Sequence, residues 1–358
     1  MQGGIDFRRG YGHRWRAAGP ALAARGWAAR RLGAAALGAL LALLAPAAAL
    51  AAPYWAVLGD SPQAQSIQHL FWIVIGVAFV FLFGIEGTLL YVVFRFRARP
   101  GDEGEAPQVY GNRRLEVWWT IVPALILVVM FIFTVRAVGE ETAVAPNALP
   151  VTVIGHQWWW EFRYPTLGVV TANELHVPVG RSIAFTLQSA DVVHSFWFPL
   201  LGGKEQLIPG QSNRWTFTVD KAGNYDGACS EYCGGAHAWM RLTLVADAPA
   251  QFDAWAKAQA APAASTATSK QALQVFTQNA CSQCHAIRGT TANGAVAPDL
   301  THVGSRTTLG GGVLANNAGD MARWLQNPQA VKPGVLMPDL HLSADDLSTL
   351  TAYLEGLR

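Results

Sequence analysis

Cysteine is scarce in this chain of 358 residues: there are four, confined to "CSEYC" at 229–233 and "CSQC" at 281–284. That density excludes a secreted scaffold stapled by many disulfides. Charge is scarce too, with Asp, Glu, Lys and Arg making up 14% of the residues against 51% hydrophobic. An ordinary soluble protein carries more charge, so apolar membrane segments must alternate with globular parts. No stretch repeats internally, which excludes a solenoid or array.

The formal net charge of +2 hides an asymmetry. Seven arginines, at 8, 9, 14, 16, 25, 30 and 31, precede the apolar run "LGAAALGALLALLAPAAALA", and Asp6 is the one acid before residue 52. A basic lead, an apolar stretch and a small-x-small end describe a secretory signal over 1–51, with an uncleaved anchor helix as the alternative. Cleavage after Ala51 leaves 19 basic and 23 acidic residues, a net charge of −4. Nucleic acid is then disfavoured as a partner, and a basic protein partner is compatible.

Residues 52–145 read as a transmembrane hairpin. Its first span is "LFWIVIGVAFVFLFGIEGTLLYVVF" at 70–94, and "VWWTIVPALILVVMFIFTV" opens the second, over 117–138. Each is long enough to cross a bilayer core. Arg95, Arg97, Arg99, Arg113 and Arg114 flank the connecting loop and place it in the cytoplasm, so both ends face outward. The expected location is a bacterial-type plasma (inner) membrane, crossed twice, with everything beyond about residue 140 on the periplasmic side. Glu86 lies inside the first span, where a carboxylate needs a role, a partner or a proton. Pro123 removes a backbone donor from the second.

Residues 146–247 are rich in Val, Ile, Thr and aromatics, with alternation in "RWTFTV" and turn residues between runs. This predicts an all-β sandwich or barrel, in which Trp159 and Trp160 serve as packing. Residues 248–268, "APAQFDAWAKAQAAPAASTATS" with its flank, read as an Ala/Pro linker holding at most one short helix. Residues 269–358 turn helical, and Ser343 with Asp346 forms a capping-box pattern before the last helix.

"CSQCH" at 281–285 is a C-x-x-C-H haem attachment signature. Two thiols at that spacing can add across the two vinyl groups of one haem c, placing His285 beneath the iron. A thioredoxin-like dithiol would need a βαβ context, and a zinc site would need further ligands. The sixth ligand should be a downstream Met, which raises the potential into the carrier range. Met321 sits in a helical stretch, where core is the simpler reading. Met337 sits in "KPGVLMP", an irregular loop bounded by prolines, and is preferred. The region resembles a small class I cytochrome c, including its Pro298-Asp299-Leu300 stretch. The resemblance implies an N-terminal helix packed on a C-terminal one, with Phe276 and Tyr353 at the contact.

"CSEYCGGAHAWM" at 229–240 packs two thiols, an imidazole and a thioether into twelve residues. Such soft-to-borderline donors favour copper. A mononuclear blue site would use one Cys; two thiolates four residues apart can bridge two metals. His237 and Met240 are local donors, His194 in "SADVVHSFWFP" is the second imidazole, and the Glu231 carbonyl completes the set. With two cysteines for haem and two for copper, none remains for a disulfide.

The ordered set "LEVWWTIVP", "GHQWWW", "DVVHSFW", "IPG" and "CSEYCGGAHAWM", behind a membrane hairpin, resembles subunit II of the haem–copper cytochrome c oxidases, and the fused haem domain resembles the caa type. The resemblance implies a cupredoxin-like β-domain and a binuclear copper (CuA) centre on His194, Cys229, Glu231 (main chain), Cys233, His237 and Met240. It also implies a magnesium ion on the Glu231 carboxylate, electrons entering at Trp158, and a proton-path acid at Glu116. His156 belongs to a motif without being a ligand. Implied partners are oxidase subunit I, other oxidase subunits and a cytochrome c donor; nothing in this chain offers an open position for oxygen. His176, His302 and His341 are read as structural rather than functional, since isolated polar side chains are mostly exposed. The rival readings are the electron-accepting subunit of a copper-containing nitric oxide reductase and a membrane-anchored copper chaperone. The chaperone is opposed by Met240 and the haem motif, and a quinol oxidase subunit by the copper cysteines.

Overall fold

The structure, a computed structural model, describes residues 59–97, 108, 110–142, 145–263 and 267–358. The signal expected over 1–51 and most of the loop joining the two spans lie outside the described residues.

Two helices carry the apolar runs, α1 (Pro62–Arg95) and α2 (Arg113–Thr142). Both are long and apolar enough to cross a membrane. Helix α1 starts where Ser61 caps it: its Oγ accepts from the Ala64 amide at 2.9 Å and donates to the Leu201 carbonyl at 2.7 Å. One side chain therefore ends the helix and fastens it to the β-domain. Helix α2 runs on through Pro123.

Ten strands then form two five-stranded sheets: β1 (Leu149–His156), β2 (Trp159–Tyr164), β3 (Val169–Ala172), β4 (Glu174–Pro178), β5 (Ser182–Ser189), β6 (His194–Trp197), β7 (Lys204–Leu207), β8 (Asn213–Thr218), β9 (Gly223–Cys229) and β10 (Arg241–Asp247). The sheet orders are β3-β2-β1-β5-β8 and β4-β10-β9-β6-β7. Strands β1, β5 and β10 alternate buried and less buried residues, as half-buried strands require. Their inward faces, with Trp160, Phe162, Phe185, Phe196 and Phe217, make one aromatic core between the sheets.

Helix α3 (Pro249–Ala260) departs from the expected linker. Phe252 and Ala256 are buried in the β-domain core, and Trp255 stacks on His176 with centroids 4.3 Å apart. The segment is an extension of the β-domain, not a free tether. Two histidines expected on the surface are also bonded: His176 Nδ1 pairs with Asp247 at 2.8 Å, and His302 is buried with Nε2 2.9 Å from the Ala261 carbonyl. His341 alone of the three is exposed.

The last region holds α4 (Ala267–Gln278), the short pair β11 (Thr308–Leu309) and β12 (Leu314–Ala315), α5 (Ala318–Gln326), α6 (Pro328–Val331) and α7 (Ala344–Gly356). Ser343 Oγ caps α7 by accepting from the Asp346 amide at 3.1 Å. Phe276 and Tyr353 share this region's core, as expected of the packed terminal helices. Met321 is buried there too.

Candidate metal centres

The copper-type donors gather on a loop whose ends are tied together. Strand β9 ends on Cys229 and β10 begins after Met240, and the Cys229 amide donates to the Met240 carbonyl at 3.0 Å. The ten residues between, 230–239, must therefore loop out and back, which is why these donors crowd together. A 3-10 turn at His237–Trp239 aims His237 inward. His194 opens β6, which pairs with β9 through Phe196 and Cys229, so the sheet brings the distant imidazole alongside.

The two sulfurs are 3.8 Å apart. His194 Nδ1 lies 3.9 Å from Cys229 Sγ, and His237 Nδ1 lies 3.4 Å from Cys233 Sγ. The Glu231 carbonyl is 3.2 Å from Cys229 Sγ, and Met240 Sδ is 3.8 Å from Cys233 Sγ. Each thiol thus has one imidazole and one weaker donor beside it. The Cys229 thiol is pulled well below its ordinary value, first by the hydrogen bond from Cys233 and further by His194, against the opposing effect of burial. His194, Cys229, Cys233 and Met240 are all buried. A buried pair of thiols, one of them readily deprotonated and the other held protonated beside it, with two imidazoles fits two soft-to-borderline metal ions.

A second layer holds these donors, and three of its members were not singled out in the sequence. Asp191 Oδ1 is 2.8 Å from His194 Nε2, which leaves Nδ1 facing Cys229. Gly155 makes room for that ring: a Cβ there would lie 2.8 Å from His194 Cδ2. Gln157 Nε2 donates to the Cys233 carbonyl at 2.7 Å, and the Trp158 indole N–H donates to the same oxygen at 3.0 Å. The i,i+3 spacing of Asp191 and His194 is a usable sequence signal; Gly155 and Gln157 carry none. The Glu231 carboxylate points elsewhere, accepting from Gln206 Nε2 at 3.2 Å. Glu116 stands exposed in the first turn of α2, on a separate element from these donors.

In the helical region, Cys281 and Cys284 flank a 3-10 turn and both are free thiols. The turn is braced from the side: the Val296 and Ala297 amides donate to the Cys284 carbonyl, and a Cβ on Gly294 would lie 2.4 Å from the Cys284 carbonyl carbon. His285 Nδ1 donates to the Pro298 carbonyl at 2.7 Å, leaving Nε2 as the free lone pair. Burial holds His285 below the usual imidazole range, which favours the neutral, ligating form. Met337 and Cys281 both pack against the core of this region, and the Met337 loop is pinned by Gln329 Nε2 donating to the Met337 carbonyl at 3.0 Å. Two thiols, an imidazole of fixed tautomer and a thioether on a braced loop fit a covalently attached haem c.

A two-sheet cupredoxin-like domain bearing a dithiol–diimidazole site, anchored by membrane helices and extended by a haem-type domain, defines a membrane-bound electron-transfer protein. Residues 56–136 match the transmembrane domain of cytochrome c oxidase subunit II, residues 166–247 match its periplasmic domain, and residues 269–358 match cytochrome c. Cytochrome c oxidase subunit 2 of Alkalihalophilus pseudofirmus is 34% identical over 309 residues, covering 83% of this chain and 89% of the relative. The Bacillus subtilis subunit 2 is 34% identical over 292 residues, 75% of this chain and 82% of the relative. The solved periplasmic domain of subunit II from Bradyrhizobium japonicum is 31% identical, covers 33% of this chain and 96% of that one, and has a TM-score of 0.32. The chain belongs to the cytochrome c oxidase subunit II family, with a CuA-like site in its periplasmic domain and a fused cytochrome c domain. It is a subunit of a haem–copper oxidase, held in the membrane by two helices.

Proposed function

We propose that this chain is where electrons enter the oxidase: it accepts them from a cytochrome c, soluble or fused, and delivers them to the oxygen-reducing subunit I, coupled to proton translocation. The observation that carries this reading is the pair of sulfurs 3.8 Å apart with one imidazole beside each. Bound there, two copper ions would supply a one-electron relay of low reorganisation cost, and a haem c on Cys281 and Cys284 would supply a second carrier.

The chain's own residues do the rest. Cys229, Cys233, His194, His237, Met240 and the Glu231 carbonyl would hold the copper, each thiol with one imidazole and one weaker donor beside it. Asp191 and Gly155 fix the His194 ring from two sides. Burial of His194, Cys229, Cys233 and Met240 keeps water from that side of the site. His285 and Met337 would be the side chains that hold the haem iron, His285 with its tautomer set by the Pro298 carbonyl and Met337 on a loop pinned by Gln329. Trp158 passes electrons inward, with its indole N–H on the Cys233 carbonyl. The Glu231 carboxylate, which here accepts from Gln206, would hold a magnesium ion at the border with subunit I, and Glu116 stands at the mouth of a proton path.

Optical and EPR spectra of the purified full chain test this reading. A mixed-valence two-copper signal together with a low-spin His/Met haem is expected, and a single-copper EPR pattern would overturn it.

A further inference from the structure

Lys332 is a lysine with almost no solvent: 1% of it is exposed. Its Nζ donates to the Gly310 carbonyl of its own haem domain at 2.8 Å and to the Trp158 carbonyl of the copper domain at 2.7 Å. An amine is costly to bury unless each donor is used, so its place at a contact between two domains needs a reason. Neither the copper donors nor the haem attachment motif accounts for it.

The surroundings form a built surface. Gly310, Gly311 and Gly312 have φ values of 64°, 79° and 80°, a left-handed run that only glycine adopts easily. A Cβ on Gly311 would stand 3.0 Å from Lys332 Nζ and 3.5 Å from the carbonyls of Trp158 and Trp239. The Arg241 amide, at the start of β10, donates to the Gly311 carbonyl at 3.1 Å. Gly334, three residues before Met337, runs past the Gly235–Ala236 backbone of the copper-ligand loop. The Met337 loop and the Cys233–His237 loop therefore lie side by side, with Trp158 between Lys332 and Cys233.

A second anchor holds the same segment two residues earlier. Glu174 of β4 is buried, and its Oε1 accepts from the Thr307 amide at 2.5 Å, the Thr307 hydroxyl at 2.6 Å and the Thr308 amide at 3.0 Å. Three donors on one carboxylate oxygen make a charge-assisted clamp. Trp158 at this contact is 8% exposed, its main-chain carbonyl taken by Lys332 and its indole lying against Gly234 and the Cys233 carbonyl of its own domain.

We propose that Lys332 and Glu174 are positioning residues that latch the haem domain onto the Trp158 face of the copper domain, so that the two act as one rigid unit rather than as a tethered pair. The electron-transfer consequence rests on the function proposed above; the latch itself does not. A latched domain transfers an electron from a standing geometry, whereas a tethered one must first diffuse into place, and only the second process is slowed by solvent viscosity.

The test uses the full-length, cofactor-loaded chain with Lys332→Met, and separately with Glu174→Ala, whose hydrogen bonds go to Thr307 and Thr308 and to none of the metal donors. Wild-type haem-to-copper transfer after flash reduction should not depend on viscosity, and the Arg241 amide should be protected from hydrogen exchange. Either variant should keep both metal spectra, expose the Arg241 amide, slow the transfer about tenfold or more, and make it viscosity-dependent. Wild-type transfer that already falls with viscosity, or variants that match wild type in both exchange and rate, overturns the latch. If Lys332→Met fails to load its cofactors, Glu174→Ala decides the matter alone. Absence of the two-copper or haem spectrum from wild type would defeat the proposed function, and Arg241 exchange would still judge the latch.

Discussion

Replacing Gly155 by alanine tests how the copper donors are held. Gly155 lies in β1, between its antiparallel partner Trp160 and its parallel partner Ser189. The added methyl carbon would stand 2.8, 3.0 and 3.3 Å from Cδ2, Cγ and Cβ of His194. Carbon pairs rest about 3.5–4.0 Å apart, so the ring must retreat by roughly 0.7 Å or more. It has nowhere to go: His194 is fully buried, its Nε2 is held by Asp191 at 2.8 Å, and the Trp160 ring lies 6.0 Å from it, centroid to centroid. Overpacking of this kind costs about 1–3 kcal/mol, while alanine in place of glycine in a strand returns about 0.5–1 kcal/mol. The expected result is a protein that folds with a modest loss of stability but with a weakened or rhombically distorted copper EPR signal and less bound copper. Gly235→Ala is the control, because a Cβ there meets nothing within 4 Å. A Gly155→Ala protein with wild-type copper content and an unaltered spectrum would refute the claim that this glycine sets the imidazole's position.

Other perturbations separate the remaining parts. Asp191→Ala frees the His194 ring to rotate and should lower copper affinity by about 10–100-fold, read by competition with a chelator. Met337→Ala should abolish the His/Met haem signature while leaving the copper spectrum intact; an unchanged haem spectrum would assign the sixth position to another residue. Glu161 gives a pH prediction. Burial alone would raise its carboxyl, but hydrogen bonds from His156 and Arg163 outweigh that and hold it below the ordinary value of 4.5. The unfolded chain therefore binds the proton more readily, and Glu161 stabilises the fold fully above about pH 4.5, losing that contribution as pH falls through its lower folded value. Denaturant unfolding of Glu161→Gln should show a loss of about 1–3 kcal/mol at neutral pH that shrinks toward zero in more acidic buffer; a constant gap would sink the assignment.

The donor sets were legible because their chemistry is local. Cys229, Cys233, His237 and Met240 sit on one loop, Cys281, Cys284 and His285 on one turn, and spacing along so short a chain limits where the atoms can go. His194, 35 residues before Cys229, was reachable because its strand could be expected from the aromatic and β-branched runs around it. Helix α3 was misread although its signal was present: Phe252, Trp255, Ala256 and Gln259 fall at helical spacing, and Phe252, Ala256 and Gln259 are buried. Alanine-rich composition suggested a linker, and the apolar stripe within it was overlooked. His176 and His302 are structural, as expected, but their partners were not legible, because burial of a lone polar side chain depends on a group that arrives from elsewhere, here Asp247 and the Ala261 carbonyl.

By itself, the sequence determined two membrane spans, a β-domain, a helical haem-type domain and two clusters of metal donors, since each follows from periodicity or from spacing within a few residues. Only the tertiary structure decided what surrounds and joins them. Gly155 against His194, Lys332 on the Trp158 carbonyl and Glu174 on Thr307 are contacts between residues 39, 174 and 133 positions apart. No local rule of chain geometry reaches that far, because such pairs are chosen by how completed sheets and loops pack against each other.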